Sequence, residues 1–527
     1  MSRSEPNERD RAIVIHPPLN GEAHAIADVI RENDITTVIL PDPATLSRPV
    51  PSPTADAITR SLTKKTDRAV GVDAFRGFFL LLMTFAMAIP ETAGVFPQWM
   101  YHMQYPPPGE FVDRAGIAWR DITFPAFLFT MCVAIPITNS LRLAKGMSYP
   151  GVLWTAARRF GLLFLYALII GHVNPFWTHD YTKRGNLVAI LGFLVLWPLF
   201  TRKPAKWDEE KFARIKMVGW LGAAAILFVL PRAYGMSFSM QRIDGIIQAL
   251  AFVSLATTTI WLLTRNNTTA RLAVMGGALA VKFGNDLPGP VQALFSRFNV
   301  PWLFEPWMIE LLLIAIPGTM AGDMIVRWMR QQDGAARVQW STRRLTTLAL
   351  LCFSFAPIAV VGYYNRYVAG TAAAVAVAAA AGLLLVRHAR TERELTLASL
   401  FHWAAFLLVA GAIVEPVGGG IKKDPQTLSY LVFMGGLSLA LLMSAIIVTD
   451  VLKVGRRITR FFVEVGQNPL LAYVAFMLFF NHIAWLTGIA PFFQTSATAA
   501  IVGCVFFAAL TGALTVAATR RKLFWRA

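Results

Sequence analysis

Charge is scarce in this sequence: Asp, Glu, Lys and Arg make up 15% of its 527 residues, where a soluble domain carries about 25%. With 55% hydrophobic residues and a mean hydropathy of +0.51, that shortage excludes a soluble globular chain of this length. Cysteine is rarer still. Cys132, Cys352 and Cys504 stand apart in apolar stretches, without the spacing of a disulfide framework or a zinc site, and are read as packing residues. Also missing are H-E-x-x-H, G-x-S-x-G and a G-K-[ST] phosphate loop, so metalloprotease, serine hydrolase and ATPase chemistry lose their usual support, and no metal is expected. No signal peptide is read at the N-terminus, which has no basic region followed by an apolar core and cleavage site.

What is abundant is the long apolar run. About 20 such residues cross a bilayer as a helix, and candidates centre near residues 82, 130, 164, 193, 224, 254, 276, 317, 354, 377, 406, 439, 477 and 505. The run near 276 is short and broken by glycines. The expected fold is all-α, a polytopic transmembrane bundle of about 12–14 spans. Lys and Arg come in short clusters between the runs, so the net charge of +18 reads as a topology signal and not as a nucleic-acid footprint. With the N-terminal segment set inside, inside connections hold about 32 basic residues against about 11 outside. A multi-pass protein of the plasma (inner) membrane with both termini cytoplasmic is expected. Residues 1–66 carry no long apolar run and are expected to be a cytoplasmic, partly disordered segment; residues 67–527 form the membrane domain. No convincing repeat is visible, which disfavours inverted-repeat transporters.

Four polar connections then share the outer side, foremost WMYHMQYPPPGEFVDRAGIAWRDITFP (99–125). His102 can exchange a proton near neutral pH, and Asp121 stands at the mouth of the next span. A carboxylate on one ring nitrogen leaves the other free as a base. A structural or solvated histidine fits the same residues. The triple proline predicts a connection stiffened into an extended shape and held as a folded cap instead of a floppy tether, with Glu110 and Asp113 solvated. Asp73 and Arg76 lie one helical turn apart at the start of the first span, as an i, i+3 pair would.

DAFRG, then His102, then D-x-x-F-P-x-F-L-F resembles the bacterial relatives of heparan-alpha-glucosaminide N-acetyltransferase, the lysosomal membrane enzyme that acetylates a terminal glucosamine. AARRFGLLFLYALIIGHVNP, RIDGIIQAL, LLLIAIPGTMAGD, GGIKKDPQTLSY and VGQNPLLAYV follow in the family's order. The resemblance covers nearly all of the chain after residue 66. It implies His102 as the catalytic histidine, Asp121 as its aspartate and acetyl-CoA as donor. Two departures stand out. The loop from His102 to Asp121 is longer than in the lysosomal enzyme, and Met87 occupies the place of an asparagine near the end of the first span. Asn174 or Asn468 is a candidate replacement donor.

The remaining motifs supply candidate donor-binding residues: Arg242, Gln248, Lys423, Ser429, Tyr430 and Asn468. Arg242 sits at an outer edge where positive charge is scarce, and Gln248 lies nearly two turns deeper. Lys422 and Lys423 suit phosphate oxygens or lipid headgroups equally, and the resemblance favours Lys423. Gln248 suits an inter-helix bond, and Asn468 before Pro469 suits a helix N-cap. His402, Glu310 and Asn481–His482 are open to a proton relay or to structural bonding. Two functions are therefore expected in order: an acetyltransferase acting on an amino sugar or sugar hydroxyl of an envelope glycan, or a carrier or non-enzymatic subunit of a glycan export system. Partners are membrane lipid and the glycan acceptor, with no nucleic acid and room for a homo-oligomer.

Overall fold

The computed structural model describes residues 69–527 except 93, 108, 206, 234–236, 299 and 331–337. The reading of residues 1–66 lies outside them. Among the described residues there is no β-sheet, only isolated bridges such as Thr201–Trp525, and thirteen helices are long and apolar enough to cross a membrane. Lipid offers no hydrogen-bond partner to a backbone, so apolar runs of this length satisfy their N–H and C=O groups internally, as helices. The chain is an all-α, multi-pass membrane protein.

Helix α1 (Val70–Met87) is followed by α2 (Thr123–Ala144), α3 (Tyr149–Val173), α4 (Lys183–Phe200) and α5 (Glu209–Ala224). Next come α6 (Gly245–Leu263), α7 (Thr268–Asp286), α8 (Pro290–Arg297) and α9 (Leu312–Arg330). The second half comprises α10 (Thr342–Tyr364), α11 (Val368–Val386), α12 (Glu392–Ile413), α13 (Leu428–Ile446), α14 (Arg456–Gly466), α15 (Pro469–Val474) and α16 (Ala497–Arg520). The α15 segment continues as one span to Leu486. Close packing rests on small residues, as expected where lipid supplies no hydrophobic drive between helices. On α9, Gly318 and Gly322 face α2 so closely that a Cβ would lie 2.9 Å from Cys132 Cβ and 2.5 Å from the Val133 carbonyl.

α7, the run near 276, is continuous through Gly276 and Gly277 and is not among the thirteen apolar helices. Its buried cations pair with α9 and the short helix before it. Arg271 donates to Asp323 at 2.6 Å, and Lys282 donates to Glu310 at 2.9 Å. Eleven residues of helix separate the two cations, about 16 Å of rise. α7 therefore runs beside α9 in the opposite direction.

Long-range bonds sort the connections into two ends. Asp450 accepts from Val70 N at 3.1 Å and Gly71 N at 2.7 Å, capping α1. Asn468 was expected to cap α15; it occupies that position, but its side chain makes no cap bond. Instead it donates to the Leu523 carbonyl and accepts from Trp525 N, both at 2.9 Å, while Arg202 N donates to the Phe524 carbonyl. The start of α1, the basic connections around 202 and 453, and the C-terminus thus share one end. The 99–121 connection lies at the other.

Candidate functional site

The 99–121 connection is a folded cap. The expected folded cap is present, but it turns at the prolines where an extended shape was expected: Gly109 N donates to the Pro106 carbonyl at 2.7 Å, and Val112 N returns to the Gln104 carbonyl. Gln104 Nε2 donates to the carbonyls of Arg114 and Gly116 from a fully buried position. Gly116, at φ +132°, passes so near Tyr363 that a Cβ would sit 2.8 Å from its carbonyl. Gly116 N donates to the Ile421 carbonyl, and Asp113, exposed to solvent as expected, also pairs with Lys422 at 2.8 Å. Both bonds clamp the cap to the 415–427 connection, and the second gives Lys422 a protein partner in place of a headgroup.

This clamp assembles a three-residue centre. His102 Nδ1 lies 2.6 Å from Asp121 Oδ1. Asp121 is fully buried; its Oδ2 accepts from Ala118 N at 2.8 Å, and its carbonyl accepts from Tyr430 OH at 2.7 Å. With both carboxylate oxygens used as acceptors, Nδ1 carries the proton and donates it to Asp121, which leaves Nε2 as the ring's lone-pair nitrogen. Lys423 Nζ stands 3.5 Å from Nδ1. Burial and this neighbouring ammonium hold the His102 pKa below its ordinary 6.5, against the opposing pull of Asp121. The ring is neutral at pH 7, and 27% of its side chain stays accessible.

That accessible part faces a chamber of about 990 Å³, near the upper end for small-molecule sites. Lys423, Met87 and Asn174 line it with His102. Met87 thus puts a thioether on the wall at the position where the resembled family has an amide. Asn174 lines the chamber with its Oδ1 committed to Phe176 N. Arg120, on the same wall, pairs with Glu91 at 2.9 Å, yet its buried Nε has no acceptor. Opposite, Lys282 bonds Glu310, Asp286 at 3.3 Å and the Gln426 carbonyl. Asp244 caps α6 through Ile247 N and receives Tyr473 OH, and burial pushes its pKa up to about 6. Trp177, Trp307 and Phe124 supply aromatic surface.

Of the six residues read as donor-binding, only Lys423 lines the chamber. Arg242 points away, donating to the Ser237 carbonyl beside His172. Gln248 is buried on the Pro301 carbonyl at 2.8 Å, an inter-segment tie. Ser429 is buried against Thr427 Oγ1 at 3.1 Å, and Tyr430 acts on the centre indirectly, through Asp121. Asn468 lies at the opposite end of the bundle. Of the polar residues open to a relay, Glu310 and Asn481 line the chamber, while His482 bonds Asn186 and the Met477 carbonyl and His402 is exposed on α12. Sequence reasoning missed Arg120, Lys282, Asp286 and Asp244. The Arg120–Asp121 dipeptide was the one local signal among them, a charge pair at a span mouth. Among the described residues no three His, Cys, Asp or Glu converge to hold a metal.

One family model, described as a domain of unknown function (DUF5009), matches residues 68–325, just under half of the chain. The matched stretch runs from α1 into α9 and contains His102, Asp121, Asp244, Lys282 and Glu310, but stops short of Lys423. No curated protein matches.

Proposed function

We propose that this protein is a membrane acyltransferase that acetylates an amine or hydroxyl of an envelope-glycan sugar, with acetyl-CoA as donor. The observation that carries the reading is the buried His102–Asp121 pair, 2.6 Å apart, with Nε2 left for the chamber. In direct transfer, Nε2 takes the proton of the acceptor N–H or O–H as that atom bonds to the thioester carbonyl carbon. The C–S bond then breaks, and the CoA thiolate recovers the proton from His102. Asp121 orients the ring and stabilises the imidazolium between the two steps. The transient oxyanion needs donors, and Arg120, Asn174 and Lys423 are donor-bearing side chains on the chamber wall. In a relayed transfer, Nε2 itself would carry the acetyl group.

A sugar acceptor suits the wall chemistry. Trp177 and Trp307 offer faces for the C–H surface of a pyranose, while Glu91, Asp286 and Glu310 suit hydroxyls or an ammonium. By the distribution of Lys and Arg, the chamber end is the non-cytoplasmic side of the inner membrane.

The test is transfer of labelled acetyl from acetyl-CoA to glucosamine-terminated acceptors by detergent-purified protein. Wild type should yield acetylated sugar, and His102→Ala should lower kcat/KM by about 10²–10⁴. Labelled protein in the absence of acceptor, lost in His102→Ala, would indicate the relay. Folded wild type that binds sugar but transfers no acetyl would overturn the reading in favour of a carrier.

A further inference from the structure

Two cavities outside the chamber meet at the opposite end of the bundle. One is a groove of about 880 Å³ between α1, α10, α13 and α14, walled by groups such as Phe75, Phe78, Ala356 and Phe462. The other is a pocket of about 620 Å³ under the 452–455 turn, and it is basic: Arg393, Lys453, Arg456 and Arg460 line it. They share Thr449 and Thr459, so the apolar groove and the charged pocket adjoin at those two side chains. Neither shares a lining residue with the His102 chamber.

Among the described residues that line this pocket the one carboxylate is Asp450, and it is spent on Val70 N, Gly71 N and Thr449 Oγ1. Arg460 pairs with Glu464 at 2.9 Å, and the Arg393 guanidinium lies over the Trp328 ring at 5.3 Å. Lys453 and Arg456 have no carboxylate partner among the described residues. They are presented by a turn with two left-handed residues, Lys453 at φ +55° and Gly455 at φ +63°. α14, which follows, is strongly amphipathic, with Arg456, Arg457 and Arg460 at its start and Ile458 67% exposed. A basic, amphipathic helix of this kind lies in a membrane surface.

We propose that groove and pocket together form one site for a phosphate-headed membrane lipid, its chain in the groove and its phosphate on Lys453 and Arg456. Charge complementarity selects an anionic headgroup, since Lys and Arg form charge-assisted bonds to phosphate oxygens. The continuous apolar groove selects a lipid over a soluble phosphate.

The experiment compares phosphatidylglycerol and phosphatidylcholine of identical chains, bound to the full-length protein and read by native mass spectrometry and Tm. Wild type should retain phosphatidylglycerol preferentially, and K453A/R456A should reduce that retention about tenfold or more. Restoration in K453R/R456K separates charge from folding. Ala356→Phe, which fills the groove, should weaken retention with the headgroup contacts intact. Equal retention of the two lipids by wild type would overturn the proposal. So would inorganic pyrophosphate, which has no chain, raising Tm as much as phosphatidylglycerol at the same concentration.

Discussion

Three charged neighbours act on the second proton of His102. Asp121 favours the imidazolium; burial, Lys423 and, less strongly, Arg120 disfavour it, and together they prevail. A base must be neutral to work, so activity should hold as pH falls to 6.5 and decline only below it. Lys423→Met removes the larger of the two cationic lowering influences. The acid limb of its kcat/KM–pH profile should therefore move upward, while a purely structural role for Lys423 would change the amplitude and leave the limb in place. Asp121→Asn keeps the shape of the pair but loses the charge that steadies the imidazolium, and should lower kcat by about 10²–10⁴ with little change in Tm. Asp244 offers a separate titration. Its carboxyl, raised by burial from 3.8 to about 6, holds its proton more tightly folded than unfolded. Stability is therefore lost as pH rises through that window, and the cost is fully present above it. Asp244→Asn, which retains a cap acceptor for Ile247 N, should raise Tm above pH 6, and the two Tm curves should converge as pH falls toward 3.8.

Among the elements, α7 and α9 depend on each other through buried charge. Lys282 and Glu310 expose 6% and 8% of their side chains, so removing one partner strands the other. Lys282→Met should destabilise the fold by about 3–5 kcal/mol, and adding Glu310→Met should recover much of that loss. Denaturation of the two variants in matched detergent measures the difference. The helices themselves were legible, because an uninterrupted apolar run has few other fates. Their polar residues were not. At a span end, a side chain that lines a cavity and one that bonds a neighbouring carbonyl share the same local pattern, as Lys423 and Gln248 illustrate. Lys282 was hidden for the same reason, since its partner is 28 residues away and no spacing announces it. His102 and Asp121 were found because a folded cap and a span mouth bring them together within one connection, and because the motif order resembles a known family.

For the whole molecule, the bonds joining α1, α14 and the C-terminus place the start of the membrane domain and its end on one side. The three cysteines are buried, so native background labelling by maleimide should be low. A cysteine at Glu110 and one at Arg526 should react from opposite faces of sealed vesicles, and in intact cells only the former should be labelled. Labelling of both from one side would overturn the two-ended arrangement and with it the outward chamber.

The pairing of α7 with α9 also bears on how the protein is made. Arg271 and Lys282, each about one turn in from an end of α7, leave the ribosome well before Asp323 and Glu310, and unpaired cations within a span oppose insertion. α7 alone should therefore stall at the translocon's lateral gate. It would enter the bilayer with α9 as a hairpin, making biogenesis wait at residue 286 for chain some forty positions downstream.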